Sequence, residues 1–309
     1  MSDQMTEEKA PATGPKCGVV AVIGAPNAGK STLVNQLVGQ KVAITSAKAQ
    51  TTRARMLGVA LADNVQIILV DTPGIFAPKR RLDRAMVSAA WEGASEADAI
   101  VLLVDPLKQR RHELEPLLEA LAHRPERKLL VLNKVDKAVK EPLLALAEEL
   151  SGKVKFDEVF FISAYTGDGV PELKAFLANL MPEGDWHYPE DQVSDASERL
   201  LAAEITREQL YKQLHEELPY DSAVRPESYT QRKDGSVEVR QQIVIGRESQ
   251  KPIVLGKGGS MIKSIGEAAR KELSEVLGQK VHLFLHVKVD ENWSEDKEIF
   301  EEIGLDWTK

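Results

Sequence analysis

The segment Gly24-Ala25-Pro26-Asn27-Ala28-Gly29-Lys30-Ser31 has the spacing G-x-x-x-x-G-K-S. That spacing suits the holding of a nucleotide's phosphate oxygens. Its glycines let successive backbone N–H groups turn toward one point and form an anion nest. Residues 32–38, beginning at Thr32, read as the first turns of a helix, whose N-terminus adds a positive dipole end. Lys30 can reach the β- and γ-phosphates, and the Ser31 hydroxyl is placed to ligate Mg²⁺. The apolar, β-branched run 19–23 just upstream reads as the strand from which such a loop springs.

Asp71-Thr72-Pro73-Gly74 follows another apolar strand, 40 residues after Ser31. Asp71 can hold a Mg²⁺-bound water, and the Gly74 N–H can sense a γ-phosphate. Asn133-Lys134-Val135-Asp136 names the base. The Asp136 carboxylate can accept from both N1–H and N2–H₂ of guanine, a donor pair that adenine lacks. Asn133 would tie this loop to the phosphate loop, and the Lys134 stem would lie over the base. Ser163-Ala164 ends a further strand, where a small residue lets a backbone N–H approach guanine O6. Between the first two motifs lies Gln50-Thr51-Thr52-Arg53. One of its threonines should complete the Mg²⁺ shell when GTP is bound. Thr52, beside Arg53, is the first choice and Thr51 the second.

These motifs need a scaffold that brings strand ends together. Strand-like runs occur at 19–23, 55–61, 66–70, 100–105, 129–132 and 159–162, with Asp63-Asn64 as a hairpin turn between the second and third. Amphipathic helical runs occur at 80–92, 112–122, 141–150 and 171–180. Alternating β and α predicts a mostly parallel, six-stranded mixed sheet covered by helices on both faces, an α/β fold. Ligands of such sheets sit beyond the strands' carboxyl ends, where every motif above falls.

The 309 residues suggest two domains, with a polar leader over 1–15, a first domain over 16–181, a Pro- and acid-rich linker over 182–197 and a second domain over 198–309. The single cysteine, Cys17, excludes an internal disulfide and suits a reducing cytoplasm. No apolar run approaches a membrane span. Net charge is −8. Residues 1–180 carry 23 Lys+Arg against 22 Asp+Glu, and residues 181–309 carry 17 against 26. Any nucleic-acid contact by the second half therefore needs a local basic patch. Such a patch exists, because from Arg247 to Lys271 there are six basic residues and two acidic ones. It surrounds Gly256-Lys257-Gly258-Gly259, a glycine loop between two helices with Lys263 just beyond. The G-x-x-G spacing matches the loop with which KH modules clamp single-stranded nucleic acid. Around it the pattern reads helix 198–218, strand 223–230, strand 237–245, helix 249–255, helix 260–277 and strand 281–289, a smaller α+β unit.

Five nucleotide motifs in this order resemble a translation-factor-type GTPase. Asn27, Thr-Thr-Arg and Asp-Thr-Pro-Gly narrow the resemblance to the bacterial Era and tRNA-modification group. A G domain followed by a type II KH order is similar to Era-type GTPases over nearly the whole chain after residue 15, including Tyr188-Pro189-Glu190-Asp191 and Glu204-Ile205-Thr206-Arg207-Glu208. Leu200 departs from the commoner pattern, where an aromatic is often found. The resemblance implies GTP/GDP and Mg²⁺ as ligands, and a K⁺ ion held near Asn27. It implies 16S rRNA near its 3′ end and the 30S subunit as partners, in subunit assembly and rRNA maturation. It also implies a cytoplasmic protein with weak peripheral membrane association and no obligate oligomer. Ile75 stands after Gly74, where Ras-like enzymes have the glutamine that orients water, and it cannot polarise one. The chemistry then rests on Lys30 and Thr52 with the metal and a partner's help, giving slow intrinsic turnover. Arg53, Arg55 and Arg80 are open between solvated and partner-binding roles. A tRNA-modification GTPase would carry a C-terminal reactive cysteine, and a membrane or cell-division scaffold GTPase would have no use for the second glycine loop.

Overall fold

The computed structural model describes residues 14–309 except 47, 49, 50, 54, 77, 79, 108–110, 303, 304, 308 and 309. The leader expected over 1–15 lies, but for its last two residues, outside the described residues, as does Gln50. Chain order in the first half is β1 (Lys16–Ile23), α1 (Lys30–Val38), β2 (Met56–Ala62), β3 (Val65–Asp71), α2 (Arg81–Ser95), β4 (Ala99–Val104), α3 (Arg111–Ala122), β5 (Arg127–Leu132), α4 (Lys140–Lys153), β6 (Glu158–Phe161) and α5 (Val170–Leu180). The strands form one sheet in the order β2-β3-β1-β4-β5-β6. Only β2 runs antiparallel, paired with β3 through the Asp63-Asn64 turn. This is the mixed six-stranded α/β sheet that the alternating pattern predicts.

Burial explains the composition of the central strands. Every residue of β3 and β4 is buried, because α1 and α5 cover one face of the sheet and α2, α3 and α4 cover the other. Such two-sided burial requires continuous apolar runs rather than alternation. β1 is bonded to β3 on one side and β4 on the other, so the chain reverses its direction of winding at β1. The first glycine loop leaves β1 at that switch point.

The acidic stretch 182–197 is pinned to the sheet. The fully buried Gln66 side chain accepts from the N–H groups of His187 (2.9 Å) and Tyr188 (3.0 Å) and donates to the Tyr188 carbonyl (2.8 Å). Farther along, the Val59 N–H donates to the Val193 carbonyl at 2.8 Å.

The second half contains α6 (Glu198–Gln213), β7 (Ser222–Gln231), β8 (Val237–Ile245), α7 (Lys251–Leu255), α8 (Ser260–Leu277), β9 (Val281–Val289) and α9 (Lys297–Glu302). Its sheet runs β7-β8-β9, antiparallel then parallel, which gives the expected α+β order. Two details differ from expectation. First, α6 stops at Gln213, not at 218. The Lys48 ammonium bonds the Tyr211 and Leu214 carbonyls at that end, and Glu216 beyond it adopts φ 55, which helices exclude. Second, the chain does not finish with β9. A turn at Trp293 and α9 follow, and Trp293, Ile299, Phe300 and Leu305 pack on Leu82, Ala85 and Met86 of α2 together with Ala223 and Val244.

This small core joins the two halves through α2. Phe300→Ala should cost about 3–5 kcal/mol of stability, the usual loss for a fully buried aromatic. Amide exchange should rise in residues 81–95 more than in β3 or β4. Exchange rates that rise uniformly, or not at all in α2, would show that the joint does not hold that helix.

Candidate functional site

The first glycine loop is shaped by what packs against it. Gly24 has φ 154, and a Cβ there would meet the Leu103 carbonyl oxygen at 2.3 Å. A Cβ on Gly29 (φ 102) would meet Asn133 Nδ2, also at 2.3 Å. Only glycine fits either place. Asn27 takes φ 64 without being glycine, a conformation that asparagine tolerates better than most residues. Its own side chain is exposed.

Lys30 is buried, and its ammonium donates to the carbonyls of Gly24 (3.1 Å) and Ala25 (3.0 Å). Burial lowers its pKa to about 8, against the opposing pull of Asp71. An arriving polyphosphate would restore the charged form. Around the loop lies a cavity of about 50 Å³ lined by Pro26, Asn27, Gly29, Lys30, Ser31, Thr32, Ile44, Thr45, Ser46, Thr51, Thr52 and Gly74. Ala25 and Ala28 lie beneath it in the core.

Three oxygens converge beside Lys30. Ser31 Oγ lies 2.7 Å from Asp71 Oδ2 and 2.8 Å from Thr52 Oγ1, and Thr52 Oγ1 donates to the same carboxylate oxygen at 3.1 Å. The other oxygen, Asp71 Oδ1, is buried with no hydrogen-bond partner. Burial raises the Asp71 pKa to about 6, opposed by the Ser31 hydroxyl and by Lys30. One carboxylate, two hydroxyls and adjacent room for phosphate oxygens suit Mg²⁺, which keeps several waters and takes few protein ligands. The orphaned Oδ1 is the acceptor that a metal-bound water would fill. Thr51 faces away, since its hydroxyl donates to the Lys48 carbonyl at 2.8 Å.

Around Asp71 the chain is packed on the first loop. Thr72 Oγ1 donates to the Val22 carbonyl at 2.8 Å. Pro73 is buried. A Cβ on Gly74 would come within 2.9 Å of the Pro26 backbone nitrogen. The Ile75 N–H donates to the Gly24 carbonyl at 3.2 Å.

Asn133 ties three loops together. Its Nδ2 donates to the Ala28 carbonyl at 2.8 Å, and its Oδ1 accepts from the Ala164 N–H at 2.9 Å. The Ala164 N–H thus serves the tie rather than standing open to O6. Lys134 adopts φ 64, and its ammonium bonds the Asn27 carbonyl (2.8 Å) and Asp105 Oδ2 (2.6 Å). The Val135 N–H donates to the Ile162 carbonyl. Ser163 Oγ accepts from the Thr166 N–H at 3.2 Å. Asp136 is exposed, and no described residue pairs with its carboxylate, so it is free to meet a base edge.

The unexpected part of the site is its far wall. The loop after α1 is gripped by the second half at six points, one of them the Lys48 ammonium on the Tyr211 and Leu214 carbonyls. Ile44 sits in a core with Ala202, Ile205, Val237 and Leu273. Lys41 pairs with Glu208 and Glu272. Thr45 donates to Glu208 Oε1 through both N–H (2.9 Å) and hydroxyl (3.2 Å). Arg207, itself paired with Glu204, donates to the Thr51 carbonyl. Arg53 is buried, and it donates to the carbonyls of Ser222 (2.7 Å), Pro219 (3.3 Å) and Tyr220 (3.1 Å) and to the Tyr211 hydroxyl (3.2 Å). Its guanidinium also lies 5.6 Å from the Trp293 ring. Arg53 is therefore an anchor between the halves. Arg55 pairs with Glu96 at 2.8 Å, and Arg80 lies 4.0 Å from Asp221. The sequence signal that could have found this wall is the run of cations Lys41, Lys48 and Arg53 after α1, although only Lys41 meets an acid of α6, Glu208, and the other two bond carbonyls.

In the second glycine loop, Gly256 has φ 73, and a Cβ there would meet the Met261 N–H nitrogen at 2.6 Å. Gly258 (φ 62) and Gly259 (φ 81) face open space. Lys257 is exposed, as is Lys263, whose ammonium lies 3.9 Å from Glu267. The loop opens the 18-residue α8, so the positive end of that helix lies beside it. A groove of about 510 Å³ lined by Glu248, Lys251, Pro252, Leu255, Gly256 and Lys257 runs beside it.

Known proteins resemble both halves of the chain. A family model described as a 50S ribosome-binding GTPase matches residues 19–134, and a KH domain model matches residues 217–294. The GTPase Era of Erythrobacter litoralis is 80% identical over 298 residues, covering 95% of this chain and 98% of that one. That of Maricaulis maris is 55% identical over 309 residues, covering 96% and 98%. Among solved structures, Era in complex with MgGDPNP and nucleotides 1506–1542 of 16S ribosomal RNA superposes with TM-score 0.89 at 38% identity, covering 94% of this chain and 99% of that one. An Aquifex aeolicus Era variant bound to GDP·AlF₄⁻ gives 0.88 at 38% identity, with the same coverage. With the guanine loop, the metal oxygens and the KH loop on one chain, and with that identity along its length, this protein belongs to the Era GTPase family.

Proposed function

We propose that this chain is a GTP-hydrolysing switch whose KH domain binds 16S rRNA near its 3′ end and assists assembly of the 30S subunit and maturation of its RNA. One observation carries the reading. Thr52, at the metal oxygens, is followed directly by Arg53, which is locked into the second half. A change in what holds Thr52 is therefore a change in what holds β7 and the residues before it.

In this reading Gly24–Ser31 and Thr32 cradle the phosphates. Bound Mg²⁺ would be held by Ser31, Thr52 and, through water, Asp71, and would neutralise charge on the β- and γ-oxygens. Lys30 stabilises the leaving phosphate, and the Gly74 N–H reads the γ-phosphate. Asp136 selects guanine, and Asn133 and Lys134 fix the loops around it. Asn27 offers an exposed side chain where a K⁺ ion would sit. Ile75 is apolar, so water is oriented by another group, and turnover of the free protein is slow. Gly256–Gly259 and Lys263 hold the RNA backbone. The same reading sets the G domain at 16–181, a linker at 182–197 and the KH domain at 198–309. Among the described residues no helix is long and apolar enough to cross a membrane; a cytoplasmic location with weak peripheral membrane contact fits the family.

Three outcomes test this. Asp136→Asn should weaken GDP binding by about 100-fold, through loss of a charge-assisted bidentate contact, and should gain xanthosine nucleotides; unchanged GDP affinity would remove the guanine assignment. Thr52→Ala should raise the Mg²⁺ needed for half-maximal hydrolysis by about tenfold or more while GDP still binds, and an equal effect from Thr51→Ala alone would reverse the choice of threonine.

The third outcome concerns coupling. Crosslinking to total RNA should enrich the 3′ region of small-subunit RNA, more with a GTP analogue than with GDP. Gly258→Asp meets no atom within 4 Å and takes a φ of 62 that aspartate tolerates better than most residues, and it should abolish that enrichment by charge repulsion. Arg53→Ala should keep RNA binding but bring the GTP and GDP values together. A switch of this kind typically couples its sites by about 5- to 150-fold. Enrichment that neither substitution alters would sink the proposal.

A further inference from the structure

The core of the second half is divided. One apolar cluster joins Ala202 and Ile205 of α6, Val237 and Val239 of β8 and Leu273 of α8, and it takes in Ile44 from the loop after α1. The other joins Leu210 and Leu214 of α6, Ile243 and Ile245 of β8 and Ile265 of α8. It takes in Val254 of α7, with Met261 and Ile262 packed against it. The first cluster therefore meets the loop that carries Thr52, and the second backs the glycine loop at Gly256–Gly259.

Three wholly buried residues stand at the seam between them. Gln241 falls between Val239 and Ile243 on the buried face of β8. Ala269 falls between Ile265 and Leu273 on the buried stripe of α8 and, though apolar, belongs to neither cluster. Thr206 follows Ile205 and lies about one turn before Leu210 on α6. Among the described residues, neither the Thr206 hydroxyl nor either polar atom of the Gln241 amide has a hydrogen-bond partner. Buried polar groups left unpaired are costly. These two are also complementary, because a hydroxyl can donate to the amide oxygen or accept from its nitrogen. The helix that carries Thr206 is held on its other face by the loop after α1. Glu208 is bonded by Lys41 and Thr45, and Arg207 donates to the Thr51 carbonyl.

We propose that Thr206 and Gln241 form a switchable layer inside the KH core. The two are unbonded while the loop after α1 grips α6, and they bond each other when that loop lets go. The γ-phosphate orders the loop and so selects the gripped position. On release, α6 shifts as one piece into a second position that has its own hydrogen bonds, and the shift reaches the glycine loop through the cluster behind it. An apolar seam would offer α6 no such second position. This rests on the reading of the chain as a GTP-timed RNA switch and adds the route by which the nucleotide's state crosses the second half.

The test uses the full-length chain and the RNA segment of the solved Era complex, nucleotides 1506–1542 of 16S ribosomal RNA. Its affinity is measured with a GTP analogue and with GDP. Wild type should show the difference of about 5- to 150-fold that a coupled switch gives. Thr206→Val keeps the side chain's shape and removes its hydroxyl; adding Gln241→Met removes the amide too. Both the single and the double variant should bring the two affinities within about twofold of each other, the coupling being lost. The melting temperature of the double variant should nevertheless stay level or rise, because apolar groups of similar shape replace buried, unpaired polar ones. Thr206→Ser keeps the hydroxyl and should keep the nucleotide dependence. A double variant that retains the full difference, at whatever melting temperature, would overturn the layer, as would Thr206→Ser behaving like Thr206→Val. Wild type with equal affinities in the two nucleotide states would sink the switch reading itself, and the layer with it.

Discussion

Two neighbouring residues, Thr52 and Arg53, are bound to opposite halves of the molecule, and the rest of the structure depends on that adjacency. The Thr52 hydroxyl lies among the oxygens of Ser31 and Asp71. The Arg53 guanidinium is buried among carbonyls that lead into β7. Consecutive Cα atoms are fixed 3.8 Å apart, so the two attachments cannot move independently. Loss of a γ-phosphate frees a loop that it orders. In this chain the freed loop would take with it the cation that satisfies three main-chain acceptors in the second half.

The energetics favour a switch over a static joint. Buried ion pairs contribute little net stability compared with apolar residues of the same shape, but breaking one is costly because the partner is left uncompensated. The interface holds several such groups: Arg53, Arg207, Glu204 and Glu208 are all buried. The Arg207 guanidinium also lies 5.2 Å from the Tyr211 ring. An interface built only for cohesion would resemble the apolar cluster of Leu82, Met86 and Phe300. The polar wall instead offers two distinct states, bonded or solvated, with an intermediate one disfavoured.

How much of this was legible in the sequence follows from what each part packs against. The phosphate loop, the strand that precedes it and the Asn133 tie were readable because their constraints are local: a fixed spacing, a β-branched run, a side chain able to bond two loops at once. β9 and β8 matched their expected limits for the same reason. α6 was not readable in full. Its apolar period predicts one buried face, yet every residue from Ala202 to Tyr211 is buried, because the polar face of the helix meets the loop after α1. Nothing local distinguishes Glu208 facing water from Glu208 facing Lys41. Arg53 and the packing of Trp293, Ile299, Phe300 and Leu305 were missed likewise, since the partners of Arg53 and the α2 partners of the others lie more than 150 residues away in sequence.

The base end and the phosphate end of the site are built on opposite principles. Around the base, Asn133 and Lys134 bond backbone carbonyls of the first loop, and Asn133 also bonds the loop after β6, all within one sheet. None of those contacts involves Thr52 or Gly74. Around the metal oxygens, Thr52 is carried by a loop whose other contacts belong to α6 and the residues before β7, and Gly74 leads into α2, which packs on the C-terminal segment. On the proposed reading the frame around Asn133 and Lys134 would read the identity of the nucleotide, and the elements that cross between halves its phosphate state. A protein arranged this way can keep GDP bound while its second half relaxes, which is what timing an RNA contact by hydrolysis requires.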